Sequence, residues 1–357
     1  MIDDLRFAIC ASTRNSWRGI RLAALALFLS TLNFQLSTCF AQGSLTPPGA
    51  PAPTMKTLDQ TEPRTPISSA PFTISVPGSY YLTTNLTGSS GANGITIASS
   101  HVTLDLDGFA LLGASGSGNG ILISGLCTNV TVRNGTVRGW GTNCIQVTSP
   151  LSHNLVFERL NLSDSGADAL FAYASVISEC TINGSGAAGL RVVFSTVRDC
   201  AVTACAGNAI SAYYCTLRDC KASASGLLGI YITAGTVVGC MVEDNQLSGI
   251  YVDAPGCQIL GNTCRGNNLS NNPNHADIFV NASNNRLENN QVTAGVGNTN
   301  SGIATVSGYV GNVIIRNSVV GHGAKSYAVI AGQQIIGPVI TTYGTITNSN
   351  PWANFSF

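Results

Sequence analysis

From Asp168 to Leu247 the apolar and polar positions of the chain recur every twenty residues. Written as DALFAYASVISECTINGSGA, AGLRVVFSTVRDCAVTACAG, NAISAYYCTLRDCKASASGL and LGIYITAGTVVGCMVEDNQL, the repeats stack Leu170, Leu190, Ile210 and Ile230 in one column. Cys180, Cys200, Cys220 and Cys240 form another. Within each line apolar and polar residues alternate over short runs, without the spacing of an amphipathic helix. A fixed period built from such runs predicts a solenoid of strands, each repeat one coil of a parallel β-helix.

Outside this stretch the coils continue with insertions. NGITIASSHVTLDLDGFALLGASGSG, NGILISGLCTNVTVRNGTVRGWGT and NCIQVTSPLSHNLVFERLNLSDSGA open with the same Gly or Cys, Ile, polar, Ile or Val phrase. So do SGIYVDAPGCQILGNTCRGNNLSNNPNHA, DIFVNASNNRLENNQVTAGVGNTN and SGIATVSGYVGNVIIRNSVVGHGAK, more loosely. Extra residues must bulge from the turns, because the core register has to be kept. Roughly ten coils stacked at about 4.8 Å give a rod on the order of 50 Å long. It is expected to be one domain, since each coil buries its apolar face only against its neighbours. The boundaries expected are residues 72–335 for the solenoid and 336–357 for a C-terminal cap, with Trp352, Phe355 and Phe357 over the last coil.

The first 71 residues follow other rules. Arg14, Arg18 and Arg21 precede the apolar run LAALALFLSTLNF, and Cys39, Phe40 and Ala41 precede Gln42. Residues 1–41 therefore carry the marks of a cleaved secretory signal, and the run is short for a membrane span. Residues 42–71 are a proline-rich linker and lead-in, where no helix or sheet could run unbroken. The 39 glycines and 10% charged residues suit many tight turns between short strands. From Gln42 onward 13 basic residues face 15 acidic ones. With no basic stripe, nucleic acid is not an expected partner.

The recurring G-I-x-I/V phrase, the Asn or Cys turn column and the small closing turns resemble the right-handed parallel β-helix repeats of the pectin-lyase-like superfold, over residues 72 to about 335. MKTLDQTEPRTPI, PGSYYLTTNLTG, NGITIASSHVTLDLDGFALLG and SNPWANF further resemble a group of secreted bacterial β-helix proteins. The fold class implied is all-β, a single-stranded right-handed parallel β-helix. The resemblance implies no particular activity. In proteins of this fold the sheet that carries the first strand of each coil, with its flanking loops, lines the polysaccharide groove.

Because side chains alternate across a strand, Ile250 and Val252 point inward and Tyr251 and Asp253 outward. Across the coils one outward column then reads Leu122, Gln146, Phe171, Arg191, Ser211, Tyr231, Tyr251, Phe279. The next reads Ser124, Thr148, Tyr173, Val193, Tyr213, Thr233, Asp253, Asn281. Aromatic residues are 7% of the chain, yet they cluster here. Exposed aromatic rings can stack on sugar rings while polar neighbours take the hydroxyls, whereas aromatics also simply favour strands. The expected carbohydrate-binding residues are Phe171, Tyr173, Arg191, Tyr213, Tyr231, Tyr251 and Asp253.

The cysteine column invites a disulfide or a metal. In-register side chains one coil apart sit near 4.8 Å, too far and too parallel for a disulfide. With no Cys-x-x-Cys or Cys/His clustering, no metal and no cofactor are expected. The same column is read to hold Asn134, Asn262, Asn289 and Asn317 in other coils, which the fold resemblance makes an inward asparagine ladder, so the thiols read as packing. Cys257 and Cys264 are the pair to test for a bridge.

Catalytic signals are sparse. Glycoside hydrolysis needs two carboxylates across one bond, and elimination from uronic acids needs a base plus charge neutralisation. On the outward face of the regular coils only Arg191 and Asp253 qualify, three coils or roughly 14 Å apart. Gly321-His322-Gly323 matches a fragment of the pectinase-type pattern, but no Asp-Asp pair follows the signal segment. His322 reads as a turn residue. Glu179, Arg198, Asp199, Arg218, Asp219, Lys221, Glu243 and Asp244 read as a solvated ion-pair side. The function expected is a secreted, periplasmic or cell-surface protein binding polysaccharide along its aromatic sheet, with no membrane span after signal cleavage. The alternatives are a polysaccharide lyase or glycoside hydrolase with divergent residues in the loops at 149–152 and 267–276, or a structural or adhesion rod.

Overall fold

The structure, a computed structural model, describes residues 62–357 apart from 298–299, 323–324 and 346. The segment read as a secretory signal lies outside the described residues, as does the lead-in up to Thr61. Strands from Phe72–Ile74 through Leu170–Tyr173 and Ile250–Val252 to Tyr327–Ala328 form a 12-stranded sheet along one side of the solenoid. A 24-stranded sheet wraps the other sides of the coil. Neighbouring coils pair in parallel, as in Ile210↔Ile230 and Thr196↔Thr216. The result is a right-handed β-helix of about eleven turns. Among the described residues no helix is long and apolar enough to cross a membrane.

The alternation in the sequence decides which side chains build the core. Ile230, Ile232, Ile250 and Val252 are fully buried, while Tyr231 and Tyr251 between them stay half-buried on the outer face. The glycine that opens many coils has a steric cause. A Cβ at Gly229 would lie 2.7 Å from the carbonyl oxygen of Gly249, and one at Gly249 would lie 2.7 Å from that of Asp277. Both are closer than real Cβ atoms come, so the turn into the first strand admits almost no side chain there.

The coils turn at three corners, and most corners among the described residues use the same two-residue device. One residue adopts the left-handed conformation and faces out, and the next points in. At the first corner, after the 12-stranded sheet, the left-handed position runs through Asn129, Asn154, Ala174, Phe194, Tyr214 and Asn284. At the second it holds Glu179, Asp199, Asp219, Gly239, Asn289 and Arg316, and at the third Asp164, Gly184, Ala204, Ala224, Asp244 and Gly266. Turning the backbone takes corner amides out of the ladder between coils, and buried amides need partners.

The inward residues supply them. Ser175 N donates to Ser195 Oγ at 3.1 Å, Ser225 N to Asn245 Oδ1 at 3.0 Å, and Cys240 N to Asn262 Oδ1 at 2.9 Å. At the second corner the side-chain amides also join to one another. Asn262 Nδ2 donates to Asn290 Oδ1 at 3.0 Å, Asn290 Nδ2 to Asn317 Oδ1 at 2.9 Å, and Asn317 Nδ2 to Asn354 Oδ1 at 3.2 Å.

This corrects two members of the ladder expected from the sequence. Asn290 rather than Asn289 is the inward residue, and Asn134 also stands at an outward left-handed position. Asparagine serves both halves of the corner, as a residue that tolerates positive φ and as one whose amide can bridge coils, so composition alone did not separate them. Cys180, Cys200, Cys220 and Cys240 occupy the inward position in the preceding coils and are buried and free. Cys257 and Cys264 are likewise buried and unbridged.

Pairing begins before Phe72, since Thr65–Ile67 pairs with Gly78–Leu82. At the other end Asn354–Ser356 lies parallel to Ser318–Val320, with Phe355 opposite Ser318. The C-terminal segment therefore adds one more rung, and Asn354 ends the amide ladder.

Two outcomes follow. Asn290→Ala leaves the amide of Asn262 and the carbonyl oxygen of Ile259 unpaired in the core, and denaturant unfolding should show a loss of about 2–4 kcal/mol. Burial raises the thiol of Cys144 to about 12 and holds that of Cys264 well above its ordinary value. Peptide-resolved alkylation at pH 8 should leave both unmodified in the folded chain and modify both in denaturant.

Candidate functional site

The outward columns read from the sequence are in register in the structure. Gln146 pairs with Phe171, Phe171 with Arg191, Arg191 with Ser211, Ser211 with Tyr231, Tyr231 with Tyr251, and Tyr251 with Phe279. The column is not one uniform surface. Ser211 is short and buried, and it divides the expected sugar-binding residues into two groups.

The first group is Phe171, Tyr173 and Arg191. Phe171 and Tyr173 point from the same strand, their ring centroids 5.0 Å apart. Arg191 Nε stands 2.8 Å from Asp168 Oδ2, and its Nη2 donates to Asp168 Oδ1 at 3.2 Å. Its guanidinium lies 5.9 Å from the ring centre of Phe171. Asp168 is nearly buried and also takes the amide of Ala188 at 2.9 Å. Arg191 thus neutralises a structural carboxylate and fixes the edge of this group.

The second group is Tyr213, Tyr231, Tyr251 and Asp253, and it forms a groove. Tyr213 and Tyr231 are 5.6 Å apart, Tyr231 and Tyr251 6.0 Å apart and nearly parallel at 18°, and Tyr251 and Phe279 5.3 Å apart at 23°. Successive coils therefore present a row of rings, stacked from Tyr231 through Tyr251 to Phe279 with Tyr213 tilted at 56° at its end, in arrangements aromatic pairs favour. Asn208, Leu227, Leu228, Leu247 and His275 complete a cavity of about 410 Å³.

Asp253 is held at one side of the row. The Tyr231 hydroxyl donates to its Oδ2 at 2.6 Å and Asn281 Nδ2 to its Oδ1 at 2.8 Å. Burial first, and the bond to Asp253 second, push the Tyr231 phenol well above its ordinary value, so it remains a donor through the physiological range. Burial also raises the Tyr251 phenol. Asp253 is the one carboxylate lining this cavity.

His275 and Phe279 are not among the expected sugar-binding residues, although Phe279 stands in the outward column and His275 in the 267–276 loop. His275 belongs to the insertion after Asn267, and its ring lies 5.9 Å from both Tyr251 and Phe279. Its Nδ1 is 2.9 Å from Ser248 Oγ. The insertion is held from within, because Asn268 is fully buried and its Nδ2 donates to the carbonyl oxygens of Asn272 at 2.8 Å and His275 at 3.1 Å. The only sequence signal was a loop breaking the twenty-residue period beside the aromatic column. Phe279 is buried by the same loop.

The second loop named for divergent catalysis, at 149–152, contributes no residue to this groove. Neither loop contains a carboxylate. The acid that follows the insertion, Asp277, turns into the core. Its Oδ1 accepts from Asn267 Nδ2 at 2.7 Å, and its Oδ2 lies 3.1 Å from His322 Nε2. His322 does sit at a corner, but it points inward and is buried there, with Nδ1 2.8 Å from the carbonyl oxygen of Asn300. The charged side of the rod carries surface ion pairs, among them Lys221 with Glu243 at 2.5 Å and Arg198 with Asp199 at 3.1 Å.

Comparison with known proteins agrees with this architecture. Residues 119–292 match the family model described as right handed beta helix region. Among solved structures, the Azotobacter vinelandii mannuronan C-5 epimerase AlgE6 A-module is 17% identical, with 78% of this chain and 82% of that one covered at a TM-score of 0.58. The AlgE4 A-module from the same organism is 15% identical over 79% and 84%, with a TM-score of 0.50. A variant of the periplasmic alginate epimerase AlgG is 10% identical over 80% and 77%, with a TM-score of 0.52. At such identities the likeness is one of fold. No curated protein matches the chain.

Burial lowers the pKa of His275 below its ordinary value of 6.5. The neutral ring is favoured in the folded state, so the associated stability is present above about pH 6.5 and lost as pH falls through the folded value. An NMR titration of the imidazole carbon-bound protons should place the His275 midpoint below 6.5, and His275→Gln should remove that resonance while leaving the β-sheet circular dichroism unchanged.

Proposed function

We propose that the chain is a polysaccharide-binding β-helix whose binding surface is the groove of Tyr213, Tyr231, Tyr251 and Asp253, with a neutral glycan chain as its ligand. The observation that carries this reading is the row of in-register rings beside an oriented carboxylate. Rings stacked one coil apart turn their edges and hydroxyls outward, an apolar ridge with hydrogen-bonding groups along which a glycan chain can lie. The lone pairs of Asp253 left over by Tyr231 and Asn281 can accept sugar hydroxyls.

Charge selects among glycans. The groove presents one carboxylate and a histidine whose neutral form is favoured, and the neighbouring cation, Arg191, is engaged by Asp168. A polyuronate would set its negative charges against Asp253, whereas a neutral glycan meets no such repulsion. The epimerases of similar fold bear names that place them on mannuronan and alginate, and they support polysaccharide as the ligand class. The secretory signal expected of residues 1–41 would suit a polymeric ligand of this kind.

Affinity electrophoresis through gels containing neutral or uronate polysaccharides tests the reading. The wild-type chain should be retarded by at least one neutral polymer. Tyr231→Ala combined with Tyr251→Ala should weaken retardation about tenfold or more, on the scale of two lost aromatic contacts, with the circular dichroism unchanged. Equal retardation of the double variant would remove the groove from consideration.

A further inference from the structure

A second aromatic feature lies on the opposite flank of the 12-stranded sheet, at the first corner. Ten successive coils place a residue there in the left-handed conformation, and most are of kinds that tolerate it, such as Asn129, Asn154, Gly256, Asn284 and Gly311. Phe194 (φ 51°) and Tyr214 (φ 58°) break the pattern in adjacent coils. A bulky side chain is disfavoured at such φ, so each ring is held at a position that the backbone would give more readily to Asn or Gly.

Both rings are also unburied. Phe194 is 64% and Tyr214 59% exposed, so neither is kept by core packing. They stack on one another at 5.0 Å and 23°. Because the pair stacks from coil to coil, the outer face of Phe194 looks along the rod toward the corner of the preceding coil, which holds only Ala174. Beyond Ala174 comes Asn154. The gap is a cavity of about 410 Å³ lined by Asn154, Val176, Phe194, Thr196 and His153.

The dimensions of this slot suit one sugar ring. Asn154 and Phe194 are two coils apart, or about 9.5 Å. A ring in contact with the phenyl face on one side and the amide on the other needs two carbon contact distances, about 7–8 Å. The lining is amphipathic and carries no carboxylate. His153 Nδ1 is 3.1 Å from the carbonyl oxygen of Leu151, which can only accept, so Nδ1 carries the proton and Nε2 of the neutral ring is an acceptor for a hydroxyl. Asn154 is oriented by donating from Nδ2 to Asn129 Oδ1 at 3.2 Å.

We propose that Phe194 and Tyr214 form a second carbohydrate-binding platform, which takes a single neutral pyranose ring in the slot above Ala174. Its place in the fold separates it from the groove around Tyr231, and it does not depend on that groove binding anything.

Saturation-transfer NMR on the full chain tests the assignment, using methyl β-glucopyranoside, methyl β-galactopyranoside, methyl α-mannopyranoside and N-acetylglucosamine as probes. The informative variant is Phe194→Asn with Tyr214→Asn, which installs the residue that the same corner carries at Asn129, Asn154 and Asn284 and therefore keeps the turn. At least one probe should receive saturation from the wild-type chain and equally from Tyr231→Ala with Tyr251→Ala. The Asn variant should lose that transfer about tenfold while its Tm stays at or above that of the wild type. No transfer to any probe from the Tyr231/Tyr251 variant, or undiminished transfer from the Asn variant, overturns the proposal. So does a lower Tm of the Asn variant, which would make the pair structural, or a change in its sedimentation with sugar transfer intact, which would make it a contact between copies.

Discussion

Every coil of this protein depends on closing three corners without stranding a backbone amide in the core. A strand ladder satisfies its own hydrogen bonds only while the backbone runs straight. At many bends a left-handed residue swings the chain around, and the next residue sends a side chain inward whose oxygen or sulfur meets the amide of the adjacent coil. Ser195 does this for Ser175, Asn245 for Ser225, and Asn262 for Cys240. The hydrophobic columns fill the space between the corners, but the corners decide that this space has a fixed cross-section. A fixed cross-section in turn keeps the outward columns in register, and without that register Tyr213, Tyr231 and Tyr251 would not form a row.

The fold was legible in the sequence because its two strongest constraints are periodic. Strand alternation has a period of two and the coil a period of twenty, so Ile230, Ile250 and the outward tyrosines are assigned to faces by the sequence alone. What was not legible lacks a period. Asn289 and Asn290 are the same residue at the two halves of one corner, and only the backbone distinguishes them. Arg191 is on the predicted face, but its commitment to Asp168 follows from a coil-to-coil offset that strand alternation does not encode. His275 reaches the groove through a loop whose path is set by the buried Asn268, not by the repeat.

That loop also shows how an insertion can be absorbed by a solenoid. The third corner carries Asn245 and then Asn267 at its inward position, and in the coil after that Gly295 packs against Gly266 with no side chain to continue the ladder. Asp277, delivered by the returning end of the loop, takes the amide and side chain of Asn267, and His322 meets it from the far side. One excursion therefore places an imidazole over the aromatic row and a carboxylate in the core. The groove and the interior repair have a common origin.

The inward residues also divide the rod along its length. Toward the N-terminal side the regular corners hold serine and cysteine, and at the second corner the thiols of Cys180, Cys200, Cys220 and Cys240 hydrogen-bond from coil to coil. Toward the C-terminal side they hold asparagine, whose side-chain amides join from coil to coil at the second and third corners. The change falls at Asn245 on the third corner, Asn262 on the second and Asn285 on the first. In a stacked array, where each coil is stabilised by its neighbours, such a change in coupling is a boundary at which assembly can pause and opening can begin. Tyr231 stands on one side of that boundary and Tyr251 with Asp253 at its edge. A ligand laid across the row would bridge the two halves, so occupation of the surface and cohesion of the rod become one equilibrium.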